Sequence, residues 1–73
     1  RGYRMTLGAG KSYHLRSRKA PVVVVRVDEG PAVMVQGQLL SKKGDYVFIP
    51  SGQRLDWRNE VDQDASLAVF ELK

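Results

Sequence analysis

Glycine and proline interrupt this chain so often that regular structure must come in short pieces. Seven glycines and three prolines are spread over 73 residues, and each tends to end or bend a regular element. The breaks fall at Gly2, Gly8, Gly10, Pro21, Gly30, Pro31, Gly37, Gly44, Pro50 and Gly52. Because a stable helix needs a longer, capped segment, these breaks favour strands over helices.

The segments between the breaks are rich in valine and aromatic residues, which favour strands. They predict strands at residues 12–18, 22–27, 32–36, 38–41, 46–49, 54–58 and 67–72. Residues 1–9 are expected to form an N-terminal arm or a first strand. Short strands at even spacing predict a single all-β domain over residues 1–73, a small barrel or sandwich of antiparallel strands.

Alternation of polar and apolar residues predicts which side chains point inward. In residues 54–58 the charged side chains Arg54, Asp56 and Arg58 share one face of the strand. Leu55 and Trp57 lie on the other face, which is the period-two pattern of a half-buried strand. We therefore expect Leu55 and Trp57 to point into the core.

The apolar run of residues 22–25 marks a candidate contact between subunits. Val22, Val23, Val24 and Val25 are apolar on both faces, so the strand should lie between two layers or turn one face to a partner. A core of 73 residues supplies little net stability, and no cysteine is present to add a disulfide. Association with a second copy is the remaining source of burial, which predicts a homodimer.

The first 26 residues are basic, but we expect them to form a solvated strand face rather than a site that binds nucleic acid directly. Residues 1–26 hold seven lysines and arginines and no acid, while the net charge of the chain is +4. Such a stretch could touch nucleic acid or an acidic partner, but aromatic residues do not alternate with the arginines as they do in single-strand binders.

No apolar run approaches the length needed to span a membrane and no leader opens the chain. We expect an intracellular protein.

The sequence lacks the motifs of nucleotide and hydrolytic sites. The segment Gly10-Lys11-Ser12 resembles the end of a phosphate-binding loop, but Met5 stands where the first glycine belongs, and a strand is predicted to follow. No serine lies in a G-x-S-x-G turn. These observations exclude a P-loop and give no support to a serine hydrolase.

A metal site is not expected either. A tetrahedral site needs three or four ligands, and His14 is the only histidine in a chain without cysteine. The carboxylates Asp28, Glu29, Asp45 and Asp56 are expected in turns or on the outward face of a strand, away from His14. We therefore predict a protein without a metal or other cofactor.

One spaced motif carries a family resemblance. Gly44, Pro50, Gly52 and Asn59 match the second motif of the cupin superfamily, in which a glycine, Pro-x-Gly, a metal-binding histidine and an asparagine follow at fixed intervals. Leu55 stands at the position of that histidine. Gly44 and the Pro50–Gly52 segment are expected to be turns, and the Asn59 side chain is expected to tie the turn that follows it.

The first cupin motif matches only in its glycines. Aligned on Gly10 and Gly30, it places Arg16 and Arg18 at its two histidines and Val23 at its glutamate. The resemblance covers roughly residues 5–72. It implies a small jelly-roll barrel and a metal-free, non-catalytic cupin.

Among metal-free cupins the chain is most similar to the C-terminal domain of the centromere protein C family. The likeness lies in the order of parts: a strand, Pro-x-Gly, a polar strand, Asn59, an acidic turn at residues 60–64 and a final strand containing Phe70. Cupins of that family homodimerise, and some recruit other proteins. The resemblance implies a dimerisation module at the centromere and kinetochore, in the nucleus.

Two other functions fit the same resemblance. A ligand-sensing cupin would bind a sugar or a small acid in the barrel mouth, with Arg16, Arg18, Leu55 and Trp57 as the candidate pocket. Inward-facing arginines would pair there with a carboxylate or phosphate. A jelly-roll component of a virion or another assembly is the third function, because a fold does not determine its use.

Overall fold

The computed structural model describes residues 2–15, 19–30 and 32–72, and every regular element in these ranges is a β-strand. The eight strands are β1 (Gly2–Leu7), β2 (Ser12–Leu15), β3 (Val22–Arg26), β4 (Val33–Val35), β5 (Gln38–Leu40), β6 (Tyr46–Ile49), β7 (Leu55–Arg58) and β8 (Ala65–Glu71). The predicted all-β class is confirmed. Among the described residues, no helix is long and apolar enough to cross a membrane.

The strands form two antiparallel sheets of four strands each. Sheet 1 has the order β1-β8-β3-β6, and sheet 2 has the order β2-β7-β4-β5. Most neighbours in a sheet are far apart in the chain, as in the pairing of β1 with β8 and of β2 with β7, whereas β4 and β5 form a hairpin. The two sheets stack face to face, which is the sandwich arrangement of a jelly roll.

The core lies between the two sheets and is supplied by alternate residues of each strand. Buried side chains alternate with more exposed ones along β3, β4, β6, β7 and β8. The core residues are Leu7, Val22, Val24, Val33, Val35, Leu40, Val47, Ile49, Leu55, Trp57, Ala65, Leu67 and Val69. The inward orientation predicted for Leu55 and Trp57 is therefore confirmed.

The motif glycines occupy positions that require backbone freedom. Gly44 has φ of 95° and Gly52 has φ of 89°, in the left-handed region that side chains with a Cβ atom rarely adopt. Gly44 lies just before β6, and Gly52 lies in the turn between β6 and β7. The turns predicted at these two positions are confirmed.

Asn59 ties two distant segments to the end of β7. Its side chain is buried, and its Nδ2 donates to the carbonyl oxygen of Leu7 at 2.9 Å and to that of Gln63 at 2.7 Å. Its Oδ1 accepts from the N–H of Val61 at 3.4 Å. The side chain therefore holds the turn after β7, as predicted, and fastens it to the end of β1.

A buried arginine links the two sheets at one end of the sandwich. Arg26 lies at the end of β3 in sheet 1, and its Nη1 donates to the carbonyl oxygen of Leu40 in sheet 2 at 2.8 Å. Its Nε pairs with Asp28 Oδ1 at 2.5 Å, and Asp28 Oδ2 accepts from the N–H of Ser66. Burial opposes ionisation of Asp28, but the hydrogen bonds from Arg26 and Ser66 outweigh it and lower the pKa of this carboxyl.

Candidate functional site

The residues at the cupin metal positions offer no ligand atoms where the structure describes them. Leu55 is buried in the core with 2% of its surface exposed, so the motif brings it inside as the resemblance implies. Arg16 and Arg18 lie outside the described residues. Within the described ranges, no group of three or more His, Asp or Glu side chains could hold a metal ion.

The placement of Val23 at the glutamate position needs a correction. Val22 and Val24 point into the core, so Val23 faces outward from sheet 1 and is half-buried. A side chain on that outer face cannot reach the space between the sheets. The inward position at the start of β3 belongs to Val22, which is equally unable to bind a metal.

The candidate ligand pocket is only partly described. Leu55 and Trp57 themselves fill the space between the sheets, and Trp57 has 0% of its surface exposed. The Trp57 ring packs against Tyr13, with ring centroids 5.0 Å apart and planes tilted by 35°. Trp57 presents no accessible surface to a ligand between the sheets, and Leu55 presents almost none, because the large indole occupies the interior. Since Arg16 and Arg18 are not described, a pocket containing them remains a prediction.

His14 and Asp56 do come together, contrary to the expectation that the carboxylates lie away from His14. The two residues are directly opposite each other in the β2–β7 pair, on the outer face of sheet 2. His14 Nδ1 lies 3.1 Å from Asp56 Oδ1, and Arg58 Nε lies 3.6 Å from the same oxygen. Sequence periodicity placed Asp56 on the correct face but could not identify the neighbouring strand.

A cleft of about 290 Å³ opens beside the contact between His14 and Asp56, and it is lined by His14, Arg54, Leu55 and Asp56. Gln36 braces its edge by pairing with the backbone of β7. Gln36 Nε2 donates to the carbonyl oxygen of Arg54 at 2.8 Å, and Gln36 Oε1 accepts from the N–H of Asp56 at 2.6 Å. Sequence analysis missed this cleft because its lining comes from strands whose pairing the pattern does not reveal.

The outer face of sheet 1 carries a contiguous group of apolar side chains, which we call the apolar face. Its members are Val23, Val25, Tyr46, Phe48, Ala68 and Phe70. In one row across the sheet, Val23 lies between Phe48 and Phe70. In the next row, Val25 lies between Tyr46 and Ala68. The exposed fractions of Tyr46, Phe48 and Phe70 are 67%, 53% and 45%.

The apolar face divides the predicted interface residues into two pairs. Val22 and Val24 are in the core, so they are not available to a partner. Val23 and Val25 lie on the apolar face, half-buried among the aromatic rings. A uniform run of valines contains no polar residue to mark its outer side, and sequence analysis therefore named all four.

Comparison with known proteins finds solved structures with a similar fold but no match to a protein family or a curated protein. The plu4264 protein from Photorhabdus luminescens matches with a TM-score of 0.80 at 15% identity, over 99% of this chain and 61% of that chain. The EutQ protein of Clostridium difficile matches with a TM-score of 0.66 at 14% identity, over 96% and 53% of the two chains.

Two further structures define the fold. A predicted oxalate decarboxylase from Thermotoga maritima matches with a TM-score of 0.69 at 24% identity, over 99% of this chain and 65% of that chain. A de novo designed double-stranded β-helix matches with a TM-score of 0.62 at 20% identity, over 99% of both chains. The chain therefore has the cupin-type fold, and it spans between half and two thirds of the three natural chains. Identities this low establish the fold alone.

Proposed function

We propose that this chain is a non-catalytic cupin module that forms a homodimer through the apolar face. The observation that carries the proposal is the exposure of Tyr46, Phe48 and Phe70 around Val23 and Val25 on one face of sheet 1. Contiguous apolar patches of a few hundred Å² on soluble proteins are often interaction sites. A second copy of the same face is the occupant that would cover it symmetrically.

The size of the apolar face fits such a contact. With about 200 Å² for a large aromatic side chain, the three exposed fractions correspond to about 330 Å² of ring surface. A stable interface buries about 600 to 1,000 Å² per partner, so the rings would supply about a third to a half of it and the surrounding residues of sheet 1 the rest. Two antiparallel sheets pack face to face about 10 Å apart, with interdigitated side chains.

The non-catalytic part of the proposal rests on side-chain chemistry. Leu55 replaces the metal-binding histidine of the second cupin motif, and both Val22 and Val23 lack the carboxylate of the first. Hydrocarbon side chains offer no lone pair to a metal ion. The fold itself is compatible with enzymes, as the predicted oxalate decarboxylase among its structural relatives illustrates.

The likeness to centromere protein C remains a prediction from the motif around Gly44, Pro50, Gly52 and Asn59. The nuclear location and the role at the kinetochore, which follow from this likeness, also remain predictions. The four structures compared above are cupin-type or designed proteins, and they support the superfamily without supporting this family. The apolar face supports one part of this likeness, which is homodimerisation.

Light scattering over a concentration series tests the dimer. We expect the mass of two chains at about 100 μM and above, unchanged by a chelator. Phe48→Asp should give a folded monomer, because a carboxylate buried within the contact would lose its hydration. Leu39→Asp is the matched control: Leu39 is 62% exposed on sheet 2, and its replacement should leave the dimer intact.

A folded monomer of the unmodified chain at about 500 μM would overturn the proposal. Tyr46→Ser provides a milder variant if Phe48→Asp fails to fold. A ligand-sensing cupin is equally compatible with the fold, and a thermal-shift screen of sugars and organic acids separates it from a dimerisation module. Closed rings or shells would indicate an assembly component instead.

A further inference from the structure

We propose that the cleft beside β7 binds a small hydroxycarboxylate, with Arg54 holding the carboxylate and Asp56 accepting a hydrogen bond from the neighbouring hydroxyl group. This site lies on the outer face of sheet 2. It differs from the pocket predicted between the sheets, and it does not involve the apolar face of sheet 1.

The charges along β7 leave Arg54 available to an anion. Asp56 and Arg58 lie on the outer face of β7, about 7 Å apart as alternate residues of a strand, and Arg54 directly precedes this strand. Asp56 Oδ1 is paired with His14 and Arg58. Among the described residues no carboxylate pairs with Arg54, an exposed residue that lines the cleft. A guanidinium binds a carboxylate through two parallel hydrogen bonds.

Asp56 lines the cleft and has a second carboxylate oxygen, Oδ2. Its Oδ1 is buried close to His14 and Arg58 and makes no hydrogen bond among the described residues, yet 47% of the side chain is exposed. Because Oδ1 is buried, the exposed part comprises Oδ2 and the carbon atoms of the side chain. The hydroxyl group of a ligand can donate a hydrogen bond to Oδ2 of Asp56. His14 faces Asp56 with its Nδ1 atom, so Nε2 is the imidazole nitrogen that does not face Asp56.

The β7 backbone at the cleft is held in place before any ligand arrives. Gln36 bonds to both sides of Leu55, through the carbonyl oxygen of Arg54 and the N–H of Asp56. The N–H of Gln36 also donates to the carbonyl oxygen of Asp56 at 3.0 Å. A site whose frame is already ordered loses less entropy when it binds a ligand.

These features select a class of ligand. A cleft of about 290 Å³ is at the lower end of the range for small-molecule sites, so the ligand is a compact acid. The carboxylate of Asp56 would repel a doubly charged phosphate close to Arg54. A monocarboxylate with an adjacent hydroxyl satisfies the guanidinium and the Asp56 oxygen together.

Lactate and propionate provide a matched pair of probes, because they differ only in the hydroxyl group. We would titrate each into the chain and follow the Arg54 side-chain and His14 imidazole signals by NMR. We expect saturable shifts with lactate in the millimolar range, and binding of propionate weaker by about tenfold, since the Asp56 oxygen then loses its partner.

Two variants locate the site. Arg54→Gln keeps the backbone carbonyl that Gln36 binds but removes the guanidinium, and it should weaken lactate binding by about tenfold or more. Lys43→Gln removes one positive charge from the exposed turn before β6 and should change the affinity by less than about twofold. Asp56→Ala should abolish the preference for lactate over propionate.

The proposal is overturned by shifts that do not saturate, by equal affinity for lactate and propionate, or by unchanged binding to Arg54→Gln. The oligomeric state plays no part in these readouts. A monomeric chain that binds lactate would therefore reject the proposed dimer and leave this site standing, and a dimer that does not bind lactate would do the reverse.

Discussion

The side-chain amide of Asn59 donates to the carbonyl oxygen of Leu7 at 2.9 Å, across 52 positions of the chain. Its second N–H goes to the carbonyl oxygen of Gln63. One buried side chain thus joins the end of β1, the end of β7 and the acidic turn before β8. The asparagine of the motif therefore connects distant segments of this chain, and its removal should destabilise both sheets.

Asn59→Ala should lower the free energy of unfolding by about 2 to 3 kcal/mol, because it leaves buried carbonyl groups without a donor. Urea unfolding followed by circular dichroism measures the change. Gln63→Ala is the control, since it keeps the backbone carbonyl that Asn59 binds and alters only an exposed side chain; its effect should stay within about 0.5 kcal/mol. Equal effects of the two variants would contradict the role given to Asn59.

Trp57→Ala should cost about 3 to 5 kcal/mol, enough to unfold a domain of this size, because it empties the centre of the core. Trp57→Phe should cost less. It keeps a ring beside Tyr13 and removes an indole N–H that has no acceptor among the described residues. Circular dichroism during thermal unfolding compares the two variants. A phenylalanine variant as unstable as the alanine variant would show that the indole makes a contact not accounted for here.

Gly52→Ala should destabilise the chain by about 1 to 2 kcal/mol, since a residue with a Cβ atom is strained at φ of 89°. No atom lies within 4 Å of the added methyl group, so the cost would come from the backbone alone. Gly8→Ala is the matched control because φ at Gly8 is not positive and its nearest neighbour is the flexible Lys11 side chain. Thermal midpoints should fall for the first variant only.

Stability should fall at acid pH through Asp28. Its folded-state pKa is lowered from the ordinary 3.8, so the folded chain binds fewer protons there than the unfolded chain. The stabilising contribution is fully present above pH 3.8 and is lost as the pH falls through the lower, folded-state pKa. Urea unfolding in steps from pH 7 to about pH 2 should show this loss.

Asp28→Asn should flatten the acid limb of that profile, because an amide cannot be protonated in this range. Asp62→Asn, in the exposed turn before β8, controls for the removal of one negative charge. If Asp28→Asn lost stability as steeply as the unmodified chain below pH 4, the contact between Arg26 and Asp28 would not be the source of the acid sensitivity.

The parts of the fold predicted from sequence are those that depend on local signals. Alternation oriented Leu55 and Trp57, and the positive φ values at Gly44 and Gly52 agree with the turns expected there. The tie made by Asn59 was predicted within its own turn, because an asparagine side chain can reach residues two to four positions away. Its bond to Leu7 depends on where β1 lies, and local sequence does not contain that information.

The candidate sites were harder to predict because they depend on which strands are neighbours. His14 and Asp56 are 42 positions apart, and only the β2–β7 register makes them a pair. In the same way, Tyr46 and Phe48 join Val23 and Val25 only through the β3–β6 register. Period-two patterns assign a side chain to a face, but they do not say which residue stands beside it.

The pairing of β1 with β8 sets Gly2 opposite Phe70, so the first and last strands begin and end at one corner of the sandwich. A short linker between residues 72 and 2 could close the chain into a circle, and a new opening at the Gln36–Gly37 hairpin turn would give a permuted chain with the same sheets. Phe70 also belongs to the apolar face. In a dimer formed through that face, cargo fused to either end would emerge near the shared surface.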